Sequence, residues 1–259
     1  MQYKIYKINS FANDILKGNP AAVVPLVKWP PKNIMQKIAT ENNVSETAFF
    51  YPQGDSYHIR WFSPNSEVDL CGHATLASAF VIFNHINKNI DEITFYSKSD
   101  RLSVTKNNKY ITLNFPNLNP LVSNKIDSIS KCLNIEPIQL YKNLDYMAVF
   151  NSENEIKNIK PKIDLLKKIN LRGLIVTAPG DNHDFVSRFF VPKLGVNEDP
   201  VTGSTHSQLI PYWSKRLNKK KLRSKQISTR GGEILCEQLS DRVLISGLAY
   251  EYLTGIINV

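Results

Sequence analysis

Apolar and polar side chains alternate along two stretches of the chain. Leu102 to Leu113 (LSVTKNNKYITL) turns at Asn107-Asn108, and Ile234 to Ile245 (ILCEQLSDRVLI) turns at Ser240-Asp241. A period of two around a polar turn predicts half-buried β-hairpins. Two shorter runs, Ile59-Arg60-Trp61-Phe62-Ser63-Pro64 and Ser187-Arg188-Phe189-Phe190-Val191-Pro192, each hold an arginine, two aromatics, a variable residue and a proline. They read as strands ended by proline, which cannot donate to a ladder. Each is followed by a polar acidic loop and a glycine that opens a helical stretch, Glu67 to Ala77 around Gly72 and Asn197 to His206 around Gly203. The first helix, Ala74 to Phe83, is apolar nearly all round, which predicts a helix enclosed by strands rather than one lying on a surface. Its run of about ten residues is too short to cross a membrane.

These matches are one repeat, with an offset of about 130 residues. Upstream, Ile34 to Ala39 followed by a strand from Glu46 to Tyr51 is echoed more weakly by Leu165 to Ile169 and Leu174 to Ala178. The reading is an α+β chain of two pseudo-symmetric halves, each a barrel-like sheet around a central helix. They span 1–116 and 117–259, dividing at the polar, proline-bearing stretch from Phe115 to Pro120, and the last residues are expected to return to the first half.

Length fits this picture, since 259 residues with 42% apolar content can fill one large core or two smaller ones. No uncharged apolar run is long enough to span a bilayer, and the start MQYKIYKINSF lacks the apolar core of a secretory signal, so the expected location is cytoplasmic. Cys71, Cys132 and Cys236 are odd in number and scattered, which suits reduced thiols better than disulfides or a paired zinc site. The formal charge is +9, with the basic residues densest from Lys215 to Lys225. Such a run usually forms a solvated helix end, so nucleic acid is not the expected partner, and a diffuse positive field equally favours a small anionic substrate.

Both helix starts, at Gly72-His73 and Gly203-Ser204, should present unpaired backbone N–H groups and the positive end of a helix dipole. If the pseudo-symmetry brings them together, they suit a carboxylate; alternatively each glycine only permits a tight turn. Residues that break the symmetry carry more information. Ser45-Glu46-Thr47 places an acid where Gly173-Leu174-Ile175 has none, so Glu46 is either a proton-transfer group or a strand-end surface residue. His73 could donate to a substrate oxygen or be structural, Ser204 holds the same place after Gly203, and Asp69 and Asp199 could cap turns or orient neighbours. Cys71 sits where a thiol is acidified. Its counterpart is Thr202, so an opposed pair of thiols is missing and the thiol reads as packing.

Several blocks then carry a resemblance: Phe11-Ala12-Asn13, Gly18-Asn19-Pro20-Ala21-Ala22-Val23, Val44 to Phe49, Asp69 to Ala77, Glu198 to Ser204, and Arg230-Gly231-Gly232-Glu233. In order and spacing they resemble the PhzF-like family of phenazine biosynthesis, from the first strand to Gly247. The resemblance implies the diaminopimelate epimerase fold, a homodimer, and no metal or organic cofactor. It also implies an isomerase in which Glu46 shuttles a proton while His73, Asp199 and Ser204 contact or polarise the substrate. Gly72, Gly203 and Thr205 would line the substrate. Many relatives read Ala-His-Cys-Ala-Leu after the Gly-Ser, whereas this chain has Thr205-His206-Ser207-Gln208-Leu209, so Thr205 would alter the pocket. Two rivals are an amino- or imino-acid epimerase or racemase using Cys71, and a non-catalytic binding protein.

Overall fold

The computed structural model describes residues 1–98 and 101–259. The chain forms two units, Met1–Asn114 with Ser246–Val259, and Phe115–Ile245. Residues 246–259 thus belong to the first unit rather than the second.

The first unit contains β1 (Gln2–Ser10), β2 (Asn19–Pro25), α1 (Lys32–Asn42), β3 (Glu46–Gln53), β4 (Ser56–Phe62), β5 (Glu67–Val68), α2 (Gly72–Val81), β6 (Glu92–Tyr96), β7 (Arg101–Asn107) and β8 (Tyr110–Pro116), whose last two residues open the second unit. β1 and β2 run antiparallel, β2 and β3 parallel, β3 and β4 antiparallel, β4 and β6 parallel, and β6, β7 and β8 antiparallel in turn. The parallel strands β2 and β3 are buried on both faces for most of their length, as their Ala, Val and Phe content requires. β7 and β8 bury alternate residues and meet at Asn107↔Tyr110, around a turn in which Asn108 takes φ 54°. Asparagine tolerates that left-handed conformation, which explains the tight turn.

α1 buries Met35, Ile38 and Ala39, spaced to face one way, against Phe49 and Phe62. It stops at Asn43, left-handed at φ 46°, whose N–H donates to Ala39 O at 3.2 Å. That C-cap turns the chain directly into β3 and so sets Glu46 at the strand's first position, in register with Ala21. α2 is buried on every side, only Phe80 being less than fully enclosed, and continues into a π turn at Ile82–Ile86 closed by Asn87 N–H to Ile82 O at 2.8 Å. A helix this apolar is stable only inside strands, where each of Leu76, Val81 and Phe83 contributes roughly 1.5–3 kcal/mol by burial.

The second unit contains β9 (Leu121–Val122), α3 (Ile126–Leu133), β10 (Gln139–Lys142), β11 (Tyr146–Val149), α4 (Glu153–Lys157), α5 (Ile163–Leu166), β12 (Leu174–Pro179), β13 (Phe185–Phe190), α6 (His206–Leu217), β14 (Lys221–Gln226), β15 (Gly232–Gln238) and β16 (Arg242–Gly247), which leads out of it. Its strands repeat the pattern of the first unit: β10 and β11 antiparallel, β11 and β12 parallel, β12 and β13 antiparallel, β13 and β14 parallel, β14 and β15 antiparallel. The repeat in the sequence is therefore a repeat in strand pairing. The core collects Ile129, Leu140, Phe150, Leu174, Val176 and Phe190.

α6 begins at His206, not at Gly203-Ser204 as expected. Residues 203–205 form a tight turn, with His206 N–H donating to Gly203 O at 3.0 Å and the Thr205 hydroxyl to Thr202 O at 2.9 Å. A hydroxyl that bonds its own backbone competes with helix formation at this point. Further along, Trp213 donates to Thr177 Oγ1 at 3.0 Å and stacks on Phe185 at 5.5 Å. Of the basic run, Arg216 lies over the Trp213 ring, Lys219 pairs with Asp184, and Lys221 and Arg223 lie 3.9 Å from Glu237 and Glu233.

The chain returns to the first unit as β17 (Ala249–Asn258), which pairs antiparallel along the whole of β1, from Ser10↔Ala249 to Gln2↔Asn258.

Candidate active site

In the first unit, the ends of three strands and the start of α2 converge on His73. Glu46 enters from the start of β3, Asn19 from the start of β2 and Ser10 from the end of β1. The loop between β1 and β2 is tight. Gly18 takes φ 74°, and a Cβ there would lie 2.3 Å from Ser10 O. Only glycine allows so close an approach in that conformation. Phe11 also holds φ 56°, unusual for a bulky residue, with its ring fully buried.

This loop delivers two hydrogen bonds to His73. The Ser10 hydroxyl donates to the His73 carbonyl at 2.7 Å, and Asn19 Nδ2 donates to His73 Nδ1 at 3.2 Å. The Asn19 amide is oriented by the Ser45 hydroxyl, which donates to its Oδ1 at 3.0 Å. Since Nδ1 accepts, the ring proton belongs on Nε2. Burial strips water from the imidazole and pushes its pKa down to about 3, so it is neutral at ordinary pH. Nε2 lies 3.2 Å from Glu46 Oε2, but the approach is too oblique for a hydrogen bond, and with His73 neutral it is not an ion pair. The Nε2–H is thus a buried donor left without a well-aligned acceptor, which costs about 1–3 kcal/mol unless something else accepts from it.

Cys71 Sγ lies 3.5 Å from His73 Nδ1, so Glu46, Cys71 and His73 each bring a metal-ligating atom to within 4.8 Å of the others. The thiol faces Nδ1 while the carboxylate faces Nε2, so one ion could take all three only if the ring turned. Among the described residues no side chain caps α2 and none accepts from the amides of Gly72, His73 and Ala74, which leaves the dipole end suited to an anion.

The remaining expected residues lie in the second unit. Asp199 accepts from the Thr202 hydroxyl through Oδ2, while Gln226 donates to its carbonyl at 2.7 Å and accepts from Thr202 N–H at 2.9 Å. Ser204 Oγ accepts from Arg172 Nη1 at 3.2 Å, which leaves its own proton free to be donated. Arg172 is clamped by Asp145 in a two-pronged pair, with Nε to Oδ1 at 3.0 Å, and lies over the Phe189 ring. Asp145 is fully enclosed, and its backbone is bonded on both sides by Gln208. Thr205 is buried, and its hydroxyl closes the turn onto Thr202 rather than standing free for a ligand. His206 and Gln208 are likewise enclosed, His206 bridging Thr202 O and the Ser224 hydroxyl at 2.9 Å each.

The structure therefore gathers Glu46, Gly72, His73 and Cys71 in one unit, and Asp199, Gly203, Ser204 and Thr205 in the other. Sequence reasoning passed over Asn19, Ser10, Ser45, Arg172, Asp145 and Gln226. A signal existed for Asn19, inside the Gly18 to Val23 block, and for Arg172, a cation just before the Gly173 that replaces Ser45.

Comparison with known proteins agrees with the fold. The family model described as "Phenazine biosynthesis-like protein" matches residues 8–255. An uncharacterized isomerase of Pseudomonas aeruginosa is 40% identical over 259 residues, covering 100% of both chains. The crystal structure of a phenazine biosynthesis protein of the PhzF family from Enterococcus faecalis is 46% identical, covers 100% of both chains and superposes with a TM-score of 0.97. A hydroxyproline epimerase from Agrobacterium vitis shares the fold alone, with a TM-score of 0.63 at 8% identity over 99% of this chain and 92% of that one. With the family model and full-length relatives in agreement, this chain belongs to the phenazine biosynthesis-like family.

Proposed function

We propose that this isomerase moves a proton between carbons of a small carboxylate-bearing substrate, with Glu46 as the group that takes the proton and returns it. The observation that carries the reading is the unaligned Nε2–H of a neutral His73 beside the Glu46 carboxylate. A neutral imidazole can donate to a substrate oxygen without the positive charge that would make Glu46 a weaker base. In the proposed step, Glu46 abstracts a proton from an activated carbon, the electron pair delocalises toward the substrate carbonyl, and the protonated Glu46, one-fifth exposed and so open to exchange with solvent, returns a proton to another carbon on the same face. His73 and the open amides of α2 stabilise the transient negative charge. Asp199, Ser204 and the Gly203 turn are assigned to substrate contact, with Arg172 holding Ser204. A conjugated acid suits this base, because spreading the electron pair over the double bonds and the carboxyl group acidifies the carbon.

The test follows deuterium uptake from solvent by NMR across a panel of cyclic unsaturated carboxylates. Wild type should exchange and Glu46→Gln should not; equal exchange in the two would refute the assignment.

A second reading, an epimerase that uses Cys71, draws on the thiol lying 3.5 Å from His73 Nδ1. It requires exchange at a substrate α-carbon that disappears in Cys71→Ser, and the absence of an opposed thiol at Thr202 weighs against it.

A further inference from the structure

We propose that the second unit holds a separate binding site for a small amphipathic organic anion. The site is a cavity of about 340 Å³ among α3, β11 and the segment that follows α5. Its volume falls in the range of small-molecule pockets, roughly 300–1,000 Å³. None of the residues assigned to proton transfer lines it.

Two features define the ligand. The floor is apolar, with Ile129 and the largely buried Tyr146 drawn from the hydrophobic core and Leu165 packed against it. The rim carries Lys125, Lys131 and Lys168. Among the described residues, none of these lysines has an ion-pair partner, although most cations of the basic run between Lys215 and Lys225 lie against carboxylates or aromatic rings. A cavity walled by one sign of charge over a low-dielectric floor concentrates ions of the opposite sign.

Tyr146 adds a directional group. It is 4% exposed, its hydroxyl has no hydrogen-bond partner among the described residues, and that oxygen is not sealed from solvent. A phenol this deeply enclosed normally finds a hydrogen-bond partner. The open Tyr146 hydroxyl can donate to the head group of an occupant. An inorganic ion would satisfy the lysines and leave the floor wet, whereas a neutral hydrocarbon would satisfy the floor and ignore the rim. A ligand with a carboxylate or phosphate head and an apolar body of about six to ten carbons satisfies both.

The experiment is calorimetric titration of the full chain with sodium octanoate, octyl phosphate and 1-octanol at low ionic strength. The two anions should bind at one site, at least about tenfold more tightly than the alcohol, and their ratio identifies the preferred head group. Lys125→Gln/Lys131→Gln/Lys168→Gln should weaken the anions about tenfold or more and leave the alcohol unchanged. Tyr146→Phe keeps the ring and should weaken the anions about threefold, which tests the site without altering its charge. Failure of both anions to bind, equal affinity for 1-octanol, or anion affinity unchanged in the lysine variant would each overturn the proposal.

Discussion

Two buried neutral histidines make stability fall with acid in a defined window. Burial holds His73 at about 3 and His206 at about 4, against an ordinary value near 6.5. Below pH 6.5 the unfolded chain therefore binds protons that the folded chain refuses. Stability rises with pH through this window and is lost as pH falls from about 6.5 toward the folded values. Between pH 7.5 and 5 each histidine costs about 2 kcal/mol, or about 4 kcal/mol together, a large share of the roughly 5–15 kcal/mol typical of a folded protein. The carboxylates held low by basic partners act mainly below this range. Glu67, held at about 2 by Arg60 and Lys32, gives stability that is lost only below about 4.5, and Glu153 and Asp184 are also lowered, largely by their lysine partners. The assay is urea unfolding at pH 7.5, 6.5, 5.5 and 5.0, with hydrogen exchange read by mass spectrometry to follow the units separately. His73 lies in the first unit and His206 in the second, so each should lose about 2 kcal/mol. His206→Asn should flatten the slope of the second unit alone, whatever it does to stability at pH 7.5. A stability that stays level between pH 6.5 and 5 would refute the reasoning.

Asn19→Asp places a carboxylate 3.2 Å from His73 Nδ1, worth about 5 kcal/mol at an effective dielectric of 20, so the His73 pKa should rise by several units in an NMR titration and the exchange rate should fall. Asp145→Ala breaks the enclosed pair with Arg172 and should lower the second unit's stability by about 3 kcal/mol in chemical denaturation, while raising the KM of any substrate that Ser204 contacts. Gly18→Ala combines a left-handed backbone with a Cβ 2.3 Å from the Ser10 carbonyl, and should cost roughly 1–3 kcal/mol in thermal unfolding.

What the sequence disclosed follows from range. The hairpins at Leu102–Leu113 and Ile234–Ile245, and the helix from Ala74, are local patterns and were legible as such. Glu46 stood out because the other half offered a control, Leu174, at the matching position. Asn19 was harder to weigh because its partner His73 is 54 residues away, and the clamp of Asp145 on Arg172 joins residues 27 apart. No periodicity reports contacts of that kind. The start of α6 was misplaced because a glycine before an apolar run is also compatible with a tight turn, and the Thr205 hydroxyl decides for the turn. The partner of the last strand was out of reach as well, since alternation gives a strand its faces but not its neighbour.

That last strand has a consequence for synthesis. The second unit is one continuous segment, complete once Ile245 has left the ribosome. The first unit, although most of it emerges earlier, must wait with one edge of β1 bare until Ala249–Asn258 arrives. An exposed strand edge is a template for wrong partners, so the part of the protein made first is the part that most needs protection during translation.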